Sequence, residues 1–538
     1  MIVFGSRGSD LALTQTRWVA ERIKQATGED YRIEVMVTTG DRIQDRPLSG
    51  IGVKGLFTKE LEDALRSGDI DAAVHSLKDL PVEDPDGLAL GAVPPREDAR
   101  DVLVTRTDVL DSDAQPFAAL QHGASLGTSS PRRALAAIAA RTDLQPKDIR
   151  GNVPTRVDKA RGGDYDAVLL AAAGLNRLDQ DLSGLVTQHL PVDVFTPAPG
   201  QGALGIQCRA GDARILGALS KIHDATTERC VAAERAILLG LGGGCSMPLG
   251  VLVEPVGERF RLRAALFGGT PNAALREAVI GDNPAAMAQE IVERWKPLVG
   301  EPLRGRRIAT IRPDGERTGL TAALAIAGAD VTSLAWTTAE AVAVTRKQLD
   351  AAIARGVLAF TSARAVRRFV ATCREHGVEP FALPCYAVGA ATATELVQAG
   401  FAKVHAAAGR GGDALANLCA EAGVRSIAFA CAVDRHEGFE NGARAAGVET
   451  EALPVYRLVD ASREAGEIPD ELDAFLFTSP SAVDAWHTVT DGRTDVRAVA
   501  IGATTTDALH ARGFESVTTL SEPTPAALLD ALSHGPTA

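Results

Sequence analysis

Short apolar runs rich in β-branched residues alternate, along the whole chain, with longer stretches whose apolar positions return every three or four residues. The runs at 33–37, 70–74, 167–171, 308–311, 357–361 and 474–478 read as strands and the stretches between them as helices. That alternation predicts α/β domains with mostly parallel sheets. In GSRGSDLALTQTRWVAERI (5–23) a strand ends, Ser9 caps, and a helix follows with Leu11, Trp18, Val19 and Ile23 on one stripe. In GTSSPRRALAAIAAR (127–141) Ser130 can cap and Pro131 sits at the first helical position. Pro154 opens another helix after the Gly151-Asn152 turn. The stretch LSGIGVKGLFTKELEDAL (48–65) is a glycine-rich loop leading into a helix. Such a loop has little to pack and reads as a lid carrying Lys54 and Phe57.

The pattern breaks near residues 296–306, where KPLVGEPLRGRR interrupts it with two prolines and two glycines before a fresh strand. Beyond the break lies an internal repeat. FTSARAVRRF (360–369) precedes AVGAATATELVQAGF (387–401), and FTSPSAVDAW (477–486) precedes AIGATTTDALHARGF (500–514). Two homologous lobes are implied.

At 538 residues the chain has room for about three to five domains, and its 46% apolar residues can fill their cores. A net charge of −13 disfavours bulk binding to nucleic acid or anionic membrane, and 4% aromatics leave few base-stacking platforms. The seven cysteines form no C-x-x-C pair, which points to reduced thiols and a cytoplasmic chain. The N-terminus, MIVFGSRGSD, is charged too early for a signal peptide. No apolar run approaches the ~18 residues of a membrane span. No metal site is expected.

Arginine recurs at element ends, where α/β folds place ligands. Arg7 precedes one helix, Arg132 and Arg133 occupy the first turn of another, Arg150 and Arg156 flank a third, and Arg177 follows the strand at 167–170. Cations at a helix N-terminus oppose its dipole. Either they are solvated, or an anion joins them, since guanidinium matches carboxylates two bonds at a time. In DIDAAVHSLKDLPVEDPDGL (69–88) Lys78 and Asp79 follow a strand end. They are either an exposed ion pair or a carboxylate placed for proton work among cations. Cys245, in GLGGGCSMPLG (240–250), sits on a turn after Gly242, Gly243 and Gly244. The turn is an ordinary one, or its sulfur bonds to something.

Together, SRGSDLAL, GVKGLFTKELE, HSLKDLP, GTSSPRR, RGNVPTR, AAGLNRL, PAPGQGALGIQCR and GGGCSMPLG resemble the porphobilinogen deaminase (hydroxymethylbilane synthase) family, over roughly residues 1–302. The resemblance implies two hinged, periplasmic-binding-like domains and a small third α/β domain at about 215–300. It implies a dipyrromethane cofactor held as a thioether on Cys245, and head-to-tail joining of four porphobilinogen units to hydroxymethylbilane with loss of ammonia. It carries the catalytic aspartate onto Asp79, which would stabilise the azafulvenium. Cofactor contacts fall on Lys78, Asp79, Thr128, Ser129, Arg132, Arg133, Arg150 and Gly151. Substrate contacts fall on Arg7, Ser9, Lys54, Phe57, Arg156 and Arg177. Asp10 stands where many relatives have proline, and an acid there suits the helix dipole.

Residues 303–538 resemble uroporphyrinogen-III synthase through FTSARAV, AVGAATATEL, VETEALPVYRL, FTSPSAV and AIGATTTDAL. This implies two lobes, about 303–338 plus 460–538 and about 342–456, linked by paired strands near 337–343 and 455–462. The implied reaction closes hydroxymethylbilane to uroporphyrinogen III with inversion of ring D and loss of water. Tyr456 matches a family tyrosine assisting that loss. Thr361, Ser362, Thr392, Ser479, Ser481, Thr504 and Thr505, at helix starts, either hold substrate carboxylates or simply cap. Ala503 stands where the family often has proline.

Three readings follow. One is a bifunctional, monomeric, cytoplasmic enzyme acting on small molecules. Another keeps the first activity and makes the second half a non-catalytic tetrapyrrole binder. The third is an anion-binding or sensory protein, which accounts for the arginines but not for Cys245 or Asp79.

Overall fold

The computed structural model describes all residues except 39–57, 112–114, 245–246, 269–272, 313–318, 409–410, 436, 461–467, 470 and 534–538. The chain divides into two compact units, one mainly 1–255 and the other mainly 294–538.

The first unit contains two five-stranded sheets. One runs in the order Tyr31–Met36, Ile2–Arg7, Ala72–Ser76, Leu204–Arg209, Leu88–Ala92. The other runs Gln145–Lys147, Ser125–Gly127, Ala167–Ala171, Asp101–Thr105, Val186–His189. Pairs within local β-α-β units are parallel, as the alternation predicts. Leu204–Arg209 and Asp101–Thr105 run against both of their neighbours. These are the strands that the chain enters by crossing from the other sheet, a long-range event that local periodicity does not encode.

Asp10–Thr27 is helical because the Ser9 hydroxyl accepts from the Ala12 N–H at 3.3 Å, while Gly28, at φ 74°, ends it with its N–H on Lys24 O at 2.8 Å. Its inward stripe is Gln15, Thr16, Val19, Ala20 and Ile23. Trp18, expected on that stripe, is 38% exposed and lies under the Arg22 guanidinium, 4.4 Å from its ring centroid. The polar pair replaces it inside because Thr16 donates to Ala12 O at 2.9 Å and Gln15 donates to Ser76 Oγ at 3.0 Å. A second core, built on Val102, Val157, Val168 and Leu170, fills the other sheet. Residues 225–240 form the helix Ala225–Gly240, and a three-stranded sheet of Leu249–Val256, Arg259–Phe267 and Ala274–Gly281 follows.

In the second unit, Arg307–Ile311 begins a parallel sheet with Asp330–Leu334, Ala474–Phe477, Ala498–Ala500 and Val517–Thr519. A six-stranded sheet takes residues 337–460. Thr337–Ala341 and Glu449–Asp460 pair antiparallel at its edge, with Ala341 opposite Tyr456. The repeat is visible at the helix starts. Ser362 accepts from the Ala365 N–H at 3.1 Å and Ser479 from the Ala482 N–H at 3.2 Å. Gly389 and Gly502 precede the second helix of each repeat with the same extended backbone. Among the described residues no helix is long and apolar enough to cross a membrane.

Candidate active sites

The strands Ile2–Arg7, Ala72–Ser76 and Ala167–Ala171 all end at one cavity of about 870 Å³ in the first unit. Arg7 and Ser9 reach it from the first strand end, Lys78 and Asp79 from the second, and Arg177 from the helix after the third. Arg150, Gly151 and Arg156 flank the start of the helix Val153–Gly162, where Asn152 caps by accepting from the Thr155 N–H at 3.0 Å. Arg133 comes from the helix Pro131–Ala140. Lys159 lines the same wall, so among the described residues seven cations face a single lining carboxylate, Asp79.

Those cations are crowded and partly dried. Burial pushes the Lys78 ammonium down to about 8, with the Arg133 and Arg132 charges adding to the fall. Burial also lowers Arg177, to about 10, and lowers Arg156, which Arg133 further repels. Groups in that state gain from any anion brought among them. Several are already aimed by neutral oxygens. Arg177 Nη2 donates to Gly202 O at 2.8 Å, Arg156 Nε to Gly151 O at 2.9 Å, and Lys159 Nζ to Arg150 O at 3.2 Å.

Arg132 and Arg133 have a different setting from the one expected of first-turn cations. The anion that joins them is Asp101, a fully buried carboxylate at the start of Asp101–Thr105. Arg132 Nη1 meets it at 2.7 Å and Arg133 Nε at 2.9 Å. The two guanidiniums hold its carboxyl well below the usual range despite burial. Arg132 also donates to Thr196 O at 2.8 Å and does not line the cavity, whereas Arg133 does. Gln201 completes the group. It donates to Asp101 Oδ1 at 2.9 Å and accepts from Lys78 Nζ at 3.4 Å and Arg133 Nη2 at 3.3 Å.

Thr128, buried, and Ser129, exposed, are not among the residues that line the cavity. The Thr128 hydroxyl accepts from the Ser130 N–H at 3.2 Å, and the Ser129 hydroxyl donates to Ile149 O. Lys54, Phe57 and Cys245 lie outside the described residues. The six described thiols are all buried. Burial raises Cys208, Cys230 and Cys431 to about 11 and Cys373 and Cys419 to about 12, with Cys385 also well above the ordinary range. Thiols held protonated in this way are poor nucleophiles.

In the second unit Tyr456 is 7% exposed, and its hydroxyl lies 3.3 Å from Ser362 Oγ. The Arg364 guanidinium sits over the tyrosine ring, 5.9 Å from its centroid. Ser479 and Ser481 share a 2.8 Å hydroxyl contact. Thr361, Ser362 and Ser479 are half-buried, Ser481 and Thr504 are exposed, and Thr392 and Thr505 turn into the interior.

Sequence reasoning missed Gln15, Ser76, Asn152, Lys159, Asp101, Gln201 and Arg364. Lys159 carried a signal, since it follows Arg156 by three positions and so shares its helix face. Arg364 lies two residues after Ser362 in a stretch whose hydroxyls drew the attention. Nothing local marks Asp101, whose partners are 31 and 32 residues away.

Residues 2–217 match the family model described as porphobilinogen deaminase, dipyromethane cofactor binding domain, and residues 228–294 match that of the deaminase C-terminal domain. A porphobilinogen deaminase of Geobacillus sp. is 44% identical over 299 residues, which is 54% of this chain and 94% of the relative. One of Bacillus mycoides is 45% identical over 296 residues, 54% of this chain and 93% of the relative. The chain belongs to the porphobilinogen deaminase family. Beyond the deaminase half, residues 319–530 match the family model for uroporphyrinogen-III synthase HemD. Among solved structures, Thermus thermophilus uroporphyrinogen III synthase aligns with 43% of this chain and 99% of its own length, at 21% identity and a TM-score of 0.31. The Helicobacter pylori synthetase covers 42% and 99%, at 18% identity and 0.30. With both families in one polypeptide, the chain is a bifunctional enzyme of tetrapyrrole biosynthesis whose deaminase half uses dipyrromethane.

Proposed function

We propose that residues 1–302 build hydroxymethylbilane from four porphobilinogen molecules, and that residues 303–538 close it to uroporphyrinogen III. The observation that carries the first half is the cavity in which seven cations face Asp79. Each pyrrole unit bears two carboxylates, so the growing chain is a polyanion, and the crowded guanidiniums suit it. The same cavity fits dipyrromethane, which Arg133, Arg150, Gly151 and Lys78 would hold. When bound as a thioether on Cys245, the group supplies the pyrrole carbon to which substrate units are added. Arg132 fixes Arg133 through the Asp101 they share, and Thr128 and Ser129 hold the turn at 128–130.

Arg7, Ser9, Arg156 and Arg177 bind the incoming acetate and propionate. Asp79 faces the substrate nitrogen. As ammonia leaves, its carboxylate stabilises the cation left on the substrate, and it takes up the proton released when the new carbon–carbon bond has formed. Lys54 and Phe57 belong to the loop that closes over the substrate. In the second half Tyr456 donates to the departing hydroxyl, with Ser362 as its hydrogen-bond partner. Thr361, Ser479, Ser481 and Thr504 are placed to hold carboxylates. The buried Thr392 and Thr505 support the helix starts. The lobes are taken as about 303–338 plus 460–538, and 342–456, and the chain as a cytoplasmic monomer.

Intact mass decides the anchoring. The purified full chain should weigh two pyrrole units more than its polypeptide, and Cys245→Ser should lose both that mass and ammonia release from porphobilinogen. A bare wild-type mass in active protein would refute the reading.

A further inference from the structure

The helix Ala225–Gly240 carries two adjacent charged residues, Glu234 and Arg235, that are both buried, at 0% and 8% exposure. Burying a guanidinium is costly unless its donors are met. Arg235 meets them on one short segment. Its Nη1 donates to Leu77 O at 3.3 Å and Leu80 O at 3.1 Å, and its Nη2 to Pro81 O at 2.6 Å and Val82 O at 3.1 Å. That segment is the turn Leu77–Asp79 and its exit, the stretch presenting Lys78 and Asp79 to the cavity. Leu77 O already accepts from the Leu80 N–H at 3.3 Å within the turn, and the guanidinium fork adds four donated bonds at once, three of them to the carbonyls of the exit segment 80–82.

Glu234 holds the segment that packs against the same turn. It accepts from the Gly200 N–H at 2.7 Å and the Val253 N–H at 2.8 Å, and pairs with Arg96 at 2.6 Å. Gly200 has φ 74°, and a Cβ there would lie 3.3 Å from the backbone of Leu77 and Lys78, so a side chain would crowd the turn. Neither Arg235 nor Glu234 lines the cavity.

We propose that Arg235 is a positioning residue for the deaminase reaction: by gripping the carbonyls of residues 77 and 80–82 it fixes the backbone turn that aims Asp79 at the substrate. This rests on the reading of Asp79 as the catalytic carboxylate. A lysine at 235 keeps the charge but has three donors on a single nitrogen instead of a planar fork, so it cannot hold all four carbonyls. A misplacement of order 1 Å at a reacting group can cost about 10²-fold in rate.

The test uses the full chain. Arg235→Lys and Arg235→Gln are purified, checked for wild-type circular dichroism and for dipyrromethane by intact mass, and assayed for ammonia release beside Asp79→Asn. The proposal expects folded, cofactor-loaded variants whose kcat falls about 10- to 100-fold with KM for porphobilinogen within about twofold. It also expects faster amide exchange confined to residues 77–82. Wild-type kcat in Arg235→Lys, a loss wholly in KM, or unfolding of both variants would overturn it. In Asp79→Asn, loss of ammonia release supports the underlying reading. Full activity there would instead sink that reading, and the proposal with it.

Discussion

Asp101 shows how one residue organises the cation wall without touching the cavity. Its carboxylate sits between Arg132 and Arg133 with no exposure to solvent, and Gln201 passes its influence on to Lys78. Two guanidiniums with one carboxylate leave a net positive charge at the wall that Arg133 lines, which favours carboxylates in the cavity. Replacing Asp101 by asparagine would strand both guanidiniums in the interior. Breaking a buried pair in this way costs about 3–5 kcal/mol. Urea unfolding of Asp101→Asn should therefore show the transition of the first unit shifted by about that amount, and an unshifted transition would mean that the charges are solvated. The expectation of an anion between the two arginines came from their place in the first helical turn. That the anion belongs to the protein depends on a contact 31 residues away, which no local pattern carries.

At the scale of elements, the helix starts do the placing. Ser9, Ser130 and Asn152 cap three helices whose first turns carry or adjoin cavity residues; the Ser9 and Ser130 caps, with an acid or proline after them, and the start at Pro154 were readable from the chain, whereas the Asn152 cap was missed. The repeat in the second half works likewise, with Ser362 and Ser479 capping corresponding helices. Capping and chemistry are not exclusive at Ser362, because its oxygen also meets the Tyr456 hydroxyl. Ser362→Ala should lower the stability of the second unit by about 1 kcal/mol through the lost cap. It should also slow ring closure with ammonia release unchanged. A stability loss with no effect on closure would reduce Ser362 to a cap.

For the molecule as a whole, the proposed function has a linear, reactive tetrapyrrole made and consumed by one chain. Supplied with porphobilinogen, the full chain should release uroporphyrinogen III. Tyr456→Phe should leave ammonia release intact while closure slows by about 10²-fold or more, and product shifts toward the isomer formed by spontaneous closure. Isomer analysis of the oxidised porphyrins checks this, and an unchanged isomer ratio would remove Tyr456 from the mechanism. The α/β class, the strand positions and the repeat follow from periodicity and capping, which are local: Ala167–Ala171 and Ala474–Phe477 lie where the apolar runs place them. Arg7, Lys78, Asp79, Arg150, Arg156 and Arg177 were legible because strand ends and helix starts in α/β folds face ligands. Tertiary structure alone decided which sheet each strand joined, the reversal of Leu204–Arg209 and Asp101–Thr105, and the roles of Asp101, Gln201 and Arg235. Those depend on residues far apart in the chain meeting in the dry interior, where a charge must find its partner wherever the fold brings one.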